Sequence, residues 1–565
     1  MIPLGSVVQG SLSKGLEIRL HADISVEEMR VGKFLVIHGR RSRFFCLLTD
    51  VTLGTASPRI LANPPDPNNL FLQEVLAGSS TYATLEVTPM LMITPEAGEN
   101  RESPAISDTS FASLTPQTSA DFTLRPVKTI PSHFSQVYEA QELDFRTVFG
   151  WEDDPHRHNF SIGKPVDMDV PVCIDLDRFV ERSNGIFGKS GTGKSFLARL
   201  LLSGIIKQKV GVNLIFDMHS EYGWEAVCEG KSISTAKGLR QLFPSQVQVY
   251  TLDPASAKRR GIRDAEELYL SFDQIEVEDL ALVAQELNLS EASLDSALLL
   301  KNQLGKNWIL DLLNMGNEDI QEFCLENNGN KSSITALQRK LNRLTQLKYL
   351  RNVCRQNTFQ QILDTLAAGK HVVIEFGSQA NLLSYMLATN MFTRRIHQAY
   401  VRKAETFLQS KKQSDRPLPL VITIEEAHRF LDPKISNQTI FGTIAREMRK
   451  YFVTLLVVDQ RPSGIDKEVM SQMGTRVTAL LNDDKDIDAI FTGVSGAGNL
   501  RSVLSKLDSK QQALVLGHAV PMPVVVQTRP YDSQFYSEIG ETAWEEASDA
   551  EIFAAEEEAL SDLGF

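Results

Sequence analysis

The chain has 565 residues, of which 42% are hydrophobic and 23% charged, and a formal net charge of −13. These ordinary values exclude a mostly disordered or fibrous protein, and no apolar stretch approaches the ~18–20 residues that a membrane helix needs. At about 100–200 residues per domain, the length predicts three or four domains. Residues 1–6 carry neither the basic nor the apolar region of a secretory signal, so we expect a cytoplasmic protein with no membrane association.

The spacing of the cysteines and the distribution of charge narrow the class of protein further. The five cysteines are scattered without paired spacing, which predicts reduced thiols rather than disulfides or zinc ligands. Residues 531–565 hold eleven acids and no Lys or Arg follows Arg529, so the rest of the chain is nearly neutral and the net charge does not argue against a nucleic-acid partner. We interpret 531–565 as a solvated, partly helical acidic tail; docking onto a basic partner or self-inhibition of a basic channel is the alternative.

The predicted elements change character along the chain. Residues 1–94 alternate short apolar runs with turn residues, which predicts a small β-barrel, and we place an N-terminal domain at 1–160. Within it, 95–120 is rich in Ser, Thr, Pro and Glu and is expected to be flexible. Residues 161–530 then repeat strand, loop and helix, as in a parallel sheet covered on both faces. The predicted buried strands are 212–216, 247–252, 371–376, 420–424, 453–458 and 477–481.

A helical insertion is predicted at residues 265–365, which interrupt the strand–helix rhythm. Five leucines within it recur at helical spacing, and we interpret them as the core stripe of a helical bundle rather than a dimerising zipper. These leucines are Leu337, Leu341, Leu344, Leu347 and Leu350.

The strongest motif is a complete G-x-x-x-x-G-K-S, which follows an apolar strand end and opens a helix. Glycines let the main chain wrap around phosphates, and N–H groups at the helix N-terminus point at the anion. Lys194 is predicted to reach the β- and γ-phosphates, and the Ser195 hydroxyl to bind Mg²⁺. The sequence therefore predicts ATP and Mg²⁺ as ligands. The predicted nucleotide-binding residues are Gly188, Lys189, Ser190, Gly191, Thr192, Gly193, Lys194, Ser195 and Phe196.

Two acids follow the predicted strand 420–424. In P-loop enzymes a strand that ends in acids lies beside the P-loop, so Glu425 is predicted to help hold Mg²⁺ and Glu426 to activate the attacking water. Such a pair can also cap a helix, but its position downstream of a P-loop favours the catalytic interpretation. His428 resembles a box-helicase residue, but the other motifs of those helicases are missing, so we interpret it as a neighbouring or helix residue.

Four further residues have two readings each. Gln460, at the end of strand 453–458, is either a γ-phosphate sensor or a turn residue before a proline. Arg446 and Arg449 either complement a helix dipole or, in a ring, supply an arginine finger to the next subunit. Asp217, after strand 212–216, either supports the Mg²⁺ shell and the water or caps a loop.

These pieces, in this order, resemble the HerA family of ring-forming DNA translocases, within the HerA–FtsK group of P-loop ATPases. The family's Asp-Pro-His-Gly-Glu-Tyr reads here as 217–222 Asp-Met-His-Ser-Glu-Tyr, which keeps the Asp and Glu. The resemblance extends to the closing strand near 523–530 and covers most of residues 1–530. It implies an α/β fold with a RecA-like P-loop core, a parallel-dominated sheet, a small N-terminal β-barrel and a helical-bundle insertion.

The resemblance also implies a function: ATP-dependent translocation of double-stranded DNA by a homo-hexamer. In that scheme Glu426 is the catalytic acid, Arg446 the best candidate for a finger acting in trans, with Arg449 second, and Gln460 the sensor. A partner nuclease, NurA-like or another effector, is implied in DNA end processing or phage defence. The alternatives are an ATP-gated scaffold that regulates a nuclease, and a DNA-secretion motor, against which the missing membrane helix weighs.

Overall fold

The computed structural model describes residues 2–55, 68–69, 75, 81–95, 122–166, 168–227, 235–262, 264–354, 357–436, 439–447, 450–494, 498–505, 507 and 511–540. Its first part is a β-barrel. Six strands pair in the order β2-β1-β7-β3-β4-β5, β5 pairs back to β2 to close the ring, and β6 adds to β5 outside it. The strands are β1 Gly5–Ser11, β2 Gly15–Leu20, β3 Phe34–His38, β4 Arg43–Thr55, β5 Thr81–Pro95, β6 Phe122–Pro126 and β7 Gln136–Glu139.

Strand β3 shows how the barrel joins the rest of the protein. Its residues 34–37 are all buried because the strand has two covered faces. Leu35 and Ile37 point into the barrel core, whereas Phe34 and Val36 belong to the main core of the molecule. On that outer face Phe34 makes an edge contact with Phe145, at 5.3 Å between ring centroids. The barrel is therefore packed against the following domain by one continuous apolar surface.

The chain then enters the nucleotide-binding part. Helix α3 begins directly after the P-loop. Strands β11 and β14 occur at the positions where the sequence predicts strands. The elements are α1 Glu142–Phe149, β8 Asn159–Lys164, β9 Val172–Asp175, α2 Leu176–Val180, β10 Asn184–Phe187, α3 Lys194–Gln208, β11 Val212–Asp217, β12 Ala226–Val227, β13 Thr235–Ala236, α4 Leu239–Leu242, β14 Val247–Thr251, α5 Pro254–Arg259 and β15 Glu266–Glu267.

The region from 270 to 367 is mainly helical, as the sequence predicts. The five leucines are all buried, but they do not share one helix, since α11 ends at Leu341 and the chain continues through a 3-10 turn into a short strand. The elements are β16 Leu270–Ser271, α6 Val277–Leu282, α7 Ala284–Leu287, α8 Glu291–Leu304, α9 Trp308–Asn314, α10 Asn317–Asn327, α11 Lys331–Leu341, β17 Leu350–Arg351 and α12 Thr358–Ala367.

The last part returns to the strand–helix pattern and ends in an antiparallel edge. The predicted strand 477–481 lies two to three residues earlier, because residues 479–480 leave the sheet to bind the P-loop main chain. The elements are β18 His371–Glu375, α13 Leu382–Ser410, β19 Leu420–Glu425, α14 Ile440–Glu447, β20 Val453–Asp459, α15 Lys467–Gln472, β21 Thr475–Thr478, α16 Asp484–Ile490, α17 Gly498–Ser505, β22 Gln512–Gly517, β23 Val524–Thr528 and α18 Ser533–Ile539.

One twelve-stranded sheet organises this α/β domain, in the order β15-β14-β18-β11-β19-β20-β10-β21-β22-β23-β8-β9. The strands from β15 to β21 are parallel, and those from β21 to β9 are antiparallel. This is the parallel-dominated sheet that the sequence predicts. The P-loop follows the central strand β10, so the carboxyl ends of the parallel strands lie along one edge beside it.

The start of the acidic tail differs from the expected solvated segment. Helix α18 buries Phe535 and Ile539, and Arg529 pairs with Glu538 at 2.6 Å. Apolar side chains inside an acid-rich stretch hold this helix on the domain surface. The remainder of the tail, 541–565, lies outside the described residues, as does nearly all of the predicted flexible segment 95–120.

Two smaller expectations concern cysteines and membranes. Cys46, Cys173, Cys324 and Cys354 are free thiols, and Cys228 lies outside the described residues. Within the described ranges, no helix combines the length and the apolar character needed to cross a membrane.

Candidate active site

Four neighbouring parallel strands end in acids at the edge beside the P-loop. They are β18 with Glu375, β11 with Asp217, β19 with Glu425 and β20 with Asp459. Asp217 and Glu375 are direct partners in the strand register. All four residues are buried. The fold therefore brings four carboxyl groups to the edge of the sheet where the chain carries its phosphate-binding motif.

The P-loop is an open cradle of main-chain groups. Glycines at 191 and 193 have φ values of +76° and +91°, a left-handed conformation that side chains disfavour. The loop is anchored at its base, where the Lys189 N–H donates to the Leu480 carbonyl at 3.0 Å and the Gly188 N–H to the Asp459 carbonyl at 3.3 Å. Helix α3 begins at Lys194, so its N-terminal N–H groups face the cradle.

Lys194 is held over this loop. Its Nζ donates to the Lys189 carbonyl at 3.0 Å. Burial lowers the pKa of Lys194, and the neighbouring carboxylates of Glu426 and Asp459 oppose that shift. The lysine therefore links the phosphate cradle to the acidic edge. Ser195 follows it in the first turn of α3, and its hydroxyl has no hydrogen bond to the described residues. The ring of Phe196 packs edge-on against Tyr531 at 6.2 Å between centroids.

Glu425 is a buried carboxylate between two tyrosines. Tyr222 Oη donates to Glu425 Oε1 at 3.2 Å, and Oε2 is buried without a hydrogen-bond partner among the described residues. Burial, reinforced by the nearby Asp217, raises the pKa of Glu425 well above its usual value. A carboxylate oxygen left unpartnered in a buried site is costly unless a cation approaches it. This geometry fits the predicted Mg²⁺ role of Glu425.

The hydroxyl of Tyr385 bonds to both main-chain groups of Glu425. It accepts from the Glu425 N–H at 2.8 Å and donates to the Glu425 carbonyl at 3.2 Å. Tyr385 lies in the first turn of α13 and is fully buried. No sequence motif marks it, because only the fold brings the start of α13 to the end of β19.

Glu426 turns toward the predicted sensor residue. It has φ +48° and ψ +43°, a left-handed conformation unusual for a residue with a side chain. Gln460 Nε2 donates to Glu426 Oε1 at 3.0 Å. The side chain of Glu426 is 30% exposed, so its carboxylate is accessible to water. Two residues predicted from separate motifs thus meet at one point.

His428 and Asp459 form an ion pair beside Glu426. The His428 Nδ1 lies 2.9 Å from Asp459 Oδ2 and 3.7 Å from Glu426 Oε2, and the His428 N–H donates to Asp459 at 2.7 Å. The hydrogen bond with Asp459 is the main reason that the pKa of His428 is raised. Sequence reasoning did not assign Asp459, although it ends an apolar strand just as Glu425 does.

Asp217 is occupied by its own loop. Its carboxylate accepts the N–H groups of Glu221, Tyr222 and Gly223 at 2.7, 2.9 and 3.1 Å. With these hydrogen bonds Asp217 caps the loop 217–223, which was one of its two expected roles. A role toward Mg²⁺ or the attacking water stays a prediction.

Glu375, next to Asp217, was not predicted, nor was its partner Arg260. The Arg260 Nη2 lies 2.7 Å from Glu375 Oε2. Burial and the adjacent Asp217 raise the pKa of Glu375 to about 7 even though the guanidinium opposes the shift. The sequence signal for Glu375 was the same apolar strand ending in an acid, but Arg260 lies in a turn that carries no motif.

The candidate finger Arg446 makes its described hydrogen bond outside this group of residues. Its Nη2 donates to the Ser436 carbonyl at 3.3 Å, and its Nη1 is buried without a partner among the described residues. The contact with Ser436 does not involve the P-loop or the acidic edge of the same chain. The other candidate, Arg449, lies outside the described residues.

Two family models match the chain. The model described as "Helicase HerA, central domain" matches residues 160–396, and the model described as "HAS barrel domain" matches residues 4–99. The first contains the P-loop, Asp217 and Glu375, and the second covers most of the strands of the barrel. Residues 397–540, which include Glu426 and Gln460, lie outside both matches.

Curated relatives align over a larger share of the chain. The DNA double-strand break repair helicase HerA of Pyrococcus furiosus is 24% identical over 386 residues, which is 63% of this chain and 67% of the relative. The protein of the same name from Sulfolobus acidocaldarius is 25% identical over 435 residues, 75% of this chain and 79% of the relative. Among solved structures, VirB4 of Thermoanaerobacter pseudethanolicus has a TM-score of 0.42 at 14% identity, covering 68% of this chain and 99% of that one.

Proposed function

Because this chain belongs to the HerA family, we propose that it is an ATP hydrolase that uses the energy to translocate double-stranded DNA. The single observation that carries the proposal is the contact between Glu426 and Gln460 beside a complete P-loop. A carboxylate and an amide next to a phosphate cradle can bind and orient a water molecule for attack on a phosphoryl group. A scaffold that only bound ATP would not need that pair.

The residues of the site fit ATP and Mg²⁺. Main-chain N–H groups of the P-loop and the Lys194 ammonium bind phosphate oxygens, and the Ser195 hydroxyl and the unpartnered Glu425 Oε2 suit a divalent cation. When bound, ATP supplies the γ-phosphoryl group and Mg²⁺ neutralises charge on the phosphates. Tyr222 and Tyr385 keep Glu425 in place, one through the side chain and one through the main chain.

Glu426 acts as the general base in this proposal. Its carboxylate accepts a proton from a water molecule. The Gln460 amide orients both the carboxylate and that water molecule. Lys194 stabilises the negative charge on the phosphates. The ion pair of His428 and Asp459 lies beside Glu426 and maintains the end of β20. Glu426 and Gln460 follow neighbouring strands of the sheet, and Lys194 lies at the start of α3 beside them.

We also propose a homo-hexameric ring around duplex DNA, in which Arg446, or Arg449, reaches the nucleotide of the neighbouring subunit. The support is that the described hydrogen bond of Arg446 goes to the Ser436 carbonyl and not to the nucleotide-binding residues of its own chain. Curated relatives carry names that include DNA double-strand break repair. We propose in addition that the protein acts in the cytoplasm, in DNA end processing or defence, together with a NurA-like nuclease or another effector.

The test is steady-state ATP hydrolysis with and without linear duplex DNA, with Lys194→Ala as the blank. Stimulation of several-fold or more by DNA, absent in the blank, is the expected result. Tight ATP binding with slow hydrolysis that DNA does not change would contradict translocation and favour the ATP-gated scaffold. In that case the protein would act by assembling or regulating the nuclease.

A further inference from the structure

A cleft of about 840 Å³ lies between the barrel and the antiparallel half of the large sheet. On the barrel side it is lined by Lys14, in the turn that joins β1 to β2, and by Met90 of β5. On the sheet side it is lined by Arg182, Arg476 and His518. The P-loop and the acidic strand ends do not line it. Its volume lies in the range of sites that bind drug-sized ligands.

The charge of this cleft is of one sign. Lys14, Arg182, Arg476 and His518 line it, and no acid does among the described residues. Lys14 and Arg182 make no side-chain hydrogen bond or ion pair with the described part of the chain. Glu181, which is outside the lining, lies 3.2 Å from His518. The chain as a whole is acidic, so a lining whose described residues include two arginines and a lysine and no acid is a local property of this cleft.

Arg476 is the deepest of these cations. It is 2% exposed, and its guanidinium donates to the carbonyls of Met470 and Ile490, at the ends of α15 and α16. Its Nε has no partner among the described residues. Burial without any compensating carboxylate lowers the pKa of Arg476 to about 10. The carbonyls at the two helix ends hold the side chain in place and offset part of its charge, but no carboxylate pairs with it among the described residues, and an anion would complete that compensation.

Arg182 is also held in position. Its Cβ, Cγ and Cδ lie across Gly474, where an added Cβ would come within 2.6 Å of the Arg182 Cβ. Glycine at 474 therefore lets the aliphatic stem of Arg182 rest on the main chain of the cleft wall. An arginine guanidinium can bind a phosphate with two parallel hydrogen bonds, and here its stem already lies against the wall of the cleft.

The rest of the lining is apolar. Leu12 at the tip of the barrel turn is 55% exposed, and it faces the cleft together with Met90, Val494, Leu500 and Leu516. Leucine, valine and methionine side chains cannot bind a phosphate, but they can pack against a base or a sugar. The combination of fixed cations and an apolar wall matches an anion that has an apolar part.

We propose that this cleft binds a phosphate-bearing ligand of nucleotide size, separate from the ATP at the P-loop. The phosphate contacts Arg182 and Lys14, and the remainder of the ligand packs on the apolar wall. Because Lys14 belongs to the barrel and Arg182 to the ATPase domain, such a ligand bridges the two domains. The proposal does not depend on ATP hydrolysis or on DNA translocation.

The test uses the full chain with its P-loop saturated by a non-hydrolysable ATP analogue and Mg²⁺. The probe is a 5′-phosphorylated thymidine dinucleotide with a 3′ fluorophore, and its anisotropy is measured. We expect saturable binding that weakens with salt and falls at least tenfold in Arg182→Gln. Ser13→Glu, which adds an acid at an exposed position of the barrel turn, gives the same loss without touching the core. Arg402→Gln, on the exposed side of α13, is the matched control and leaves binding unchanged.

Competition by AMP shows whether the phosphate comes from a free nucleotide or from a phosphodiester. Competition by AMP assigns the site to a free nucleotide, and binding of the dinucleotide without competition by AMP assigns it to a phosphodiester. Absence of saturable dinucleotide binding overturns the proposal, and so does equal binding by the native chain and both cleft variants. Binding of a 20-nucleotide strand with none of the dinucleotide also overturns it, because the cleft would then be part of a longer nucleic-acid track. Melting temperatures of the variants verify that each one is folded.

Discussion

At the end of β19 two consecutive glutamates point in different directions. Glu425 is buried and Glu426 is partly exposed, because the chain switches to a left-handed conformation at Glu426. A non-glycine residue in that conformation costs of order 1 kcal/mol and persists where surrounding contacts hold it. The Tyr385 hydroxyl, bonded to both main-chain groups of Glu425, is such a contact. We therefore expect the Tyr385 hydroxyl to help keep Glu425, the proposed cation ligand, apart from Glu426, the proposed base.

Replacing Tyr385 by Phe tests this role. The loss leaves two buried main-chain groups of Glu425 without a partner, so we expect the free energy of unfolding to fall by about 1–3 kcal/mol. Because the turn that aims Glu426 loosens, kcat for ATP hydrolysis falls while the dissociation constant for ATP changes little. Chemical denaturation and steady-state kinetics measure the two effects.

Tyr349→Phe is the matched control for this change. Tyr349 is equally buried and donates its hydroxyl to the Ser384 carbonyl at 3.2 Å, one residue from Tyr385, with no link to Glu425. It should cost similar stability and leave kcat unchanged. Equal losses of kcat in both variants would show that Tyr385 contributes stability only.

Glu426→Gln distinguishes the two glutamates. The amide keeps the size of the side chain but cannot accept a proton, so kcat should fall by about 10²–10⁴-fold with ATP binding retained. Glu425→Gln, at the proposed cation ligand, should instead raise the Mg²⁺ concentration needed for half-maximal activity. Titrations of ATP and Mg²⁺ separate these outcomes, and normal turnover by Glu426→Gln would remove it from the role of general base.

At the scale of elements, several site residues could be predicted from the sequence because one physical pattern locates them. Short apolar strands that end in a polar residue bring that residue to the carboxyl edge of a parallel sheet. This rule led to Asp217, Glu425 and Gln460, and applied evenly it would also have led to Glu375 and Asp459. Tyr385 and Arg260 could not be found in this way, because their contacts depend on how helices return to the sheet.

The leucines of the insertion show the opposite limit. Their spacing correctly indicated burial, but periodicity alone does not tell where a helix stops. The C-terminal residue of α11 is Leu341, and a 3-10 turn carries Leu344 inward instead. A turn of 3-10 helix keeps side chains three residues apart on one side, so the apolar pattern survives the end of the α-helix.

Helix α18 gives a prediction at the same scale. Phe535 and Ile539 are buried against the ATPase domain, and Tyr531 packs on Phe535 at 5.0 Å between ring centroids. Burial of two such side chains contributes about 3–6 kcal/mol. A chain that ends at residue 530 should therefore melt several degrees lower than the full protein, contrary to the expectation of a wholly solvated tail. A chain that ends at Gly540 keeps α18 and is the control; equal melting temperatures for the two would show that α18 adds no stability.

At the scale of the whole molecule, the proposed ring places one catalytic group on a neighbouring subunit. The acidic edge, the P-loop and Gln460 belong to one chain, whereas the Arg446 guanidinium makes its described hydrogen bond to the Ser436 carbonyl and to none of them. If Arg446 completes the site of the next subunit, each active site contains residues from two chains. The ATPase activity then belongs to the interface and not to the monomer.

Mixing two inactive variants tests this arrangement. Arg446→Ala alone and Lys194→Ala alone should each reduce hydrolysis by about 10³-fold or more, as removal of an arginine finger or a P-loop lysine does in general. In mixed rings some interfaces combine the intact P-loop of the Arg446→Ala subunit with the intact arginine of the Lys194→Ala subunit, so activity returns in part. The measurement is the hydrolysis rate against the mixing ratio, with a maximum at intermediate ratios. A rate that stays at the level of the single variants at every ratio, although subunit exchange is verified, would mean that Arg446 serves its own chain.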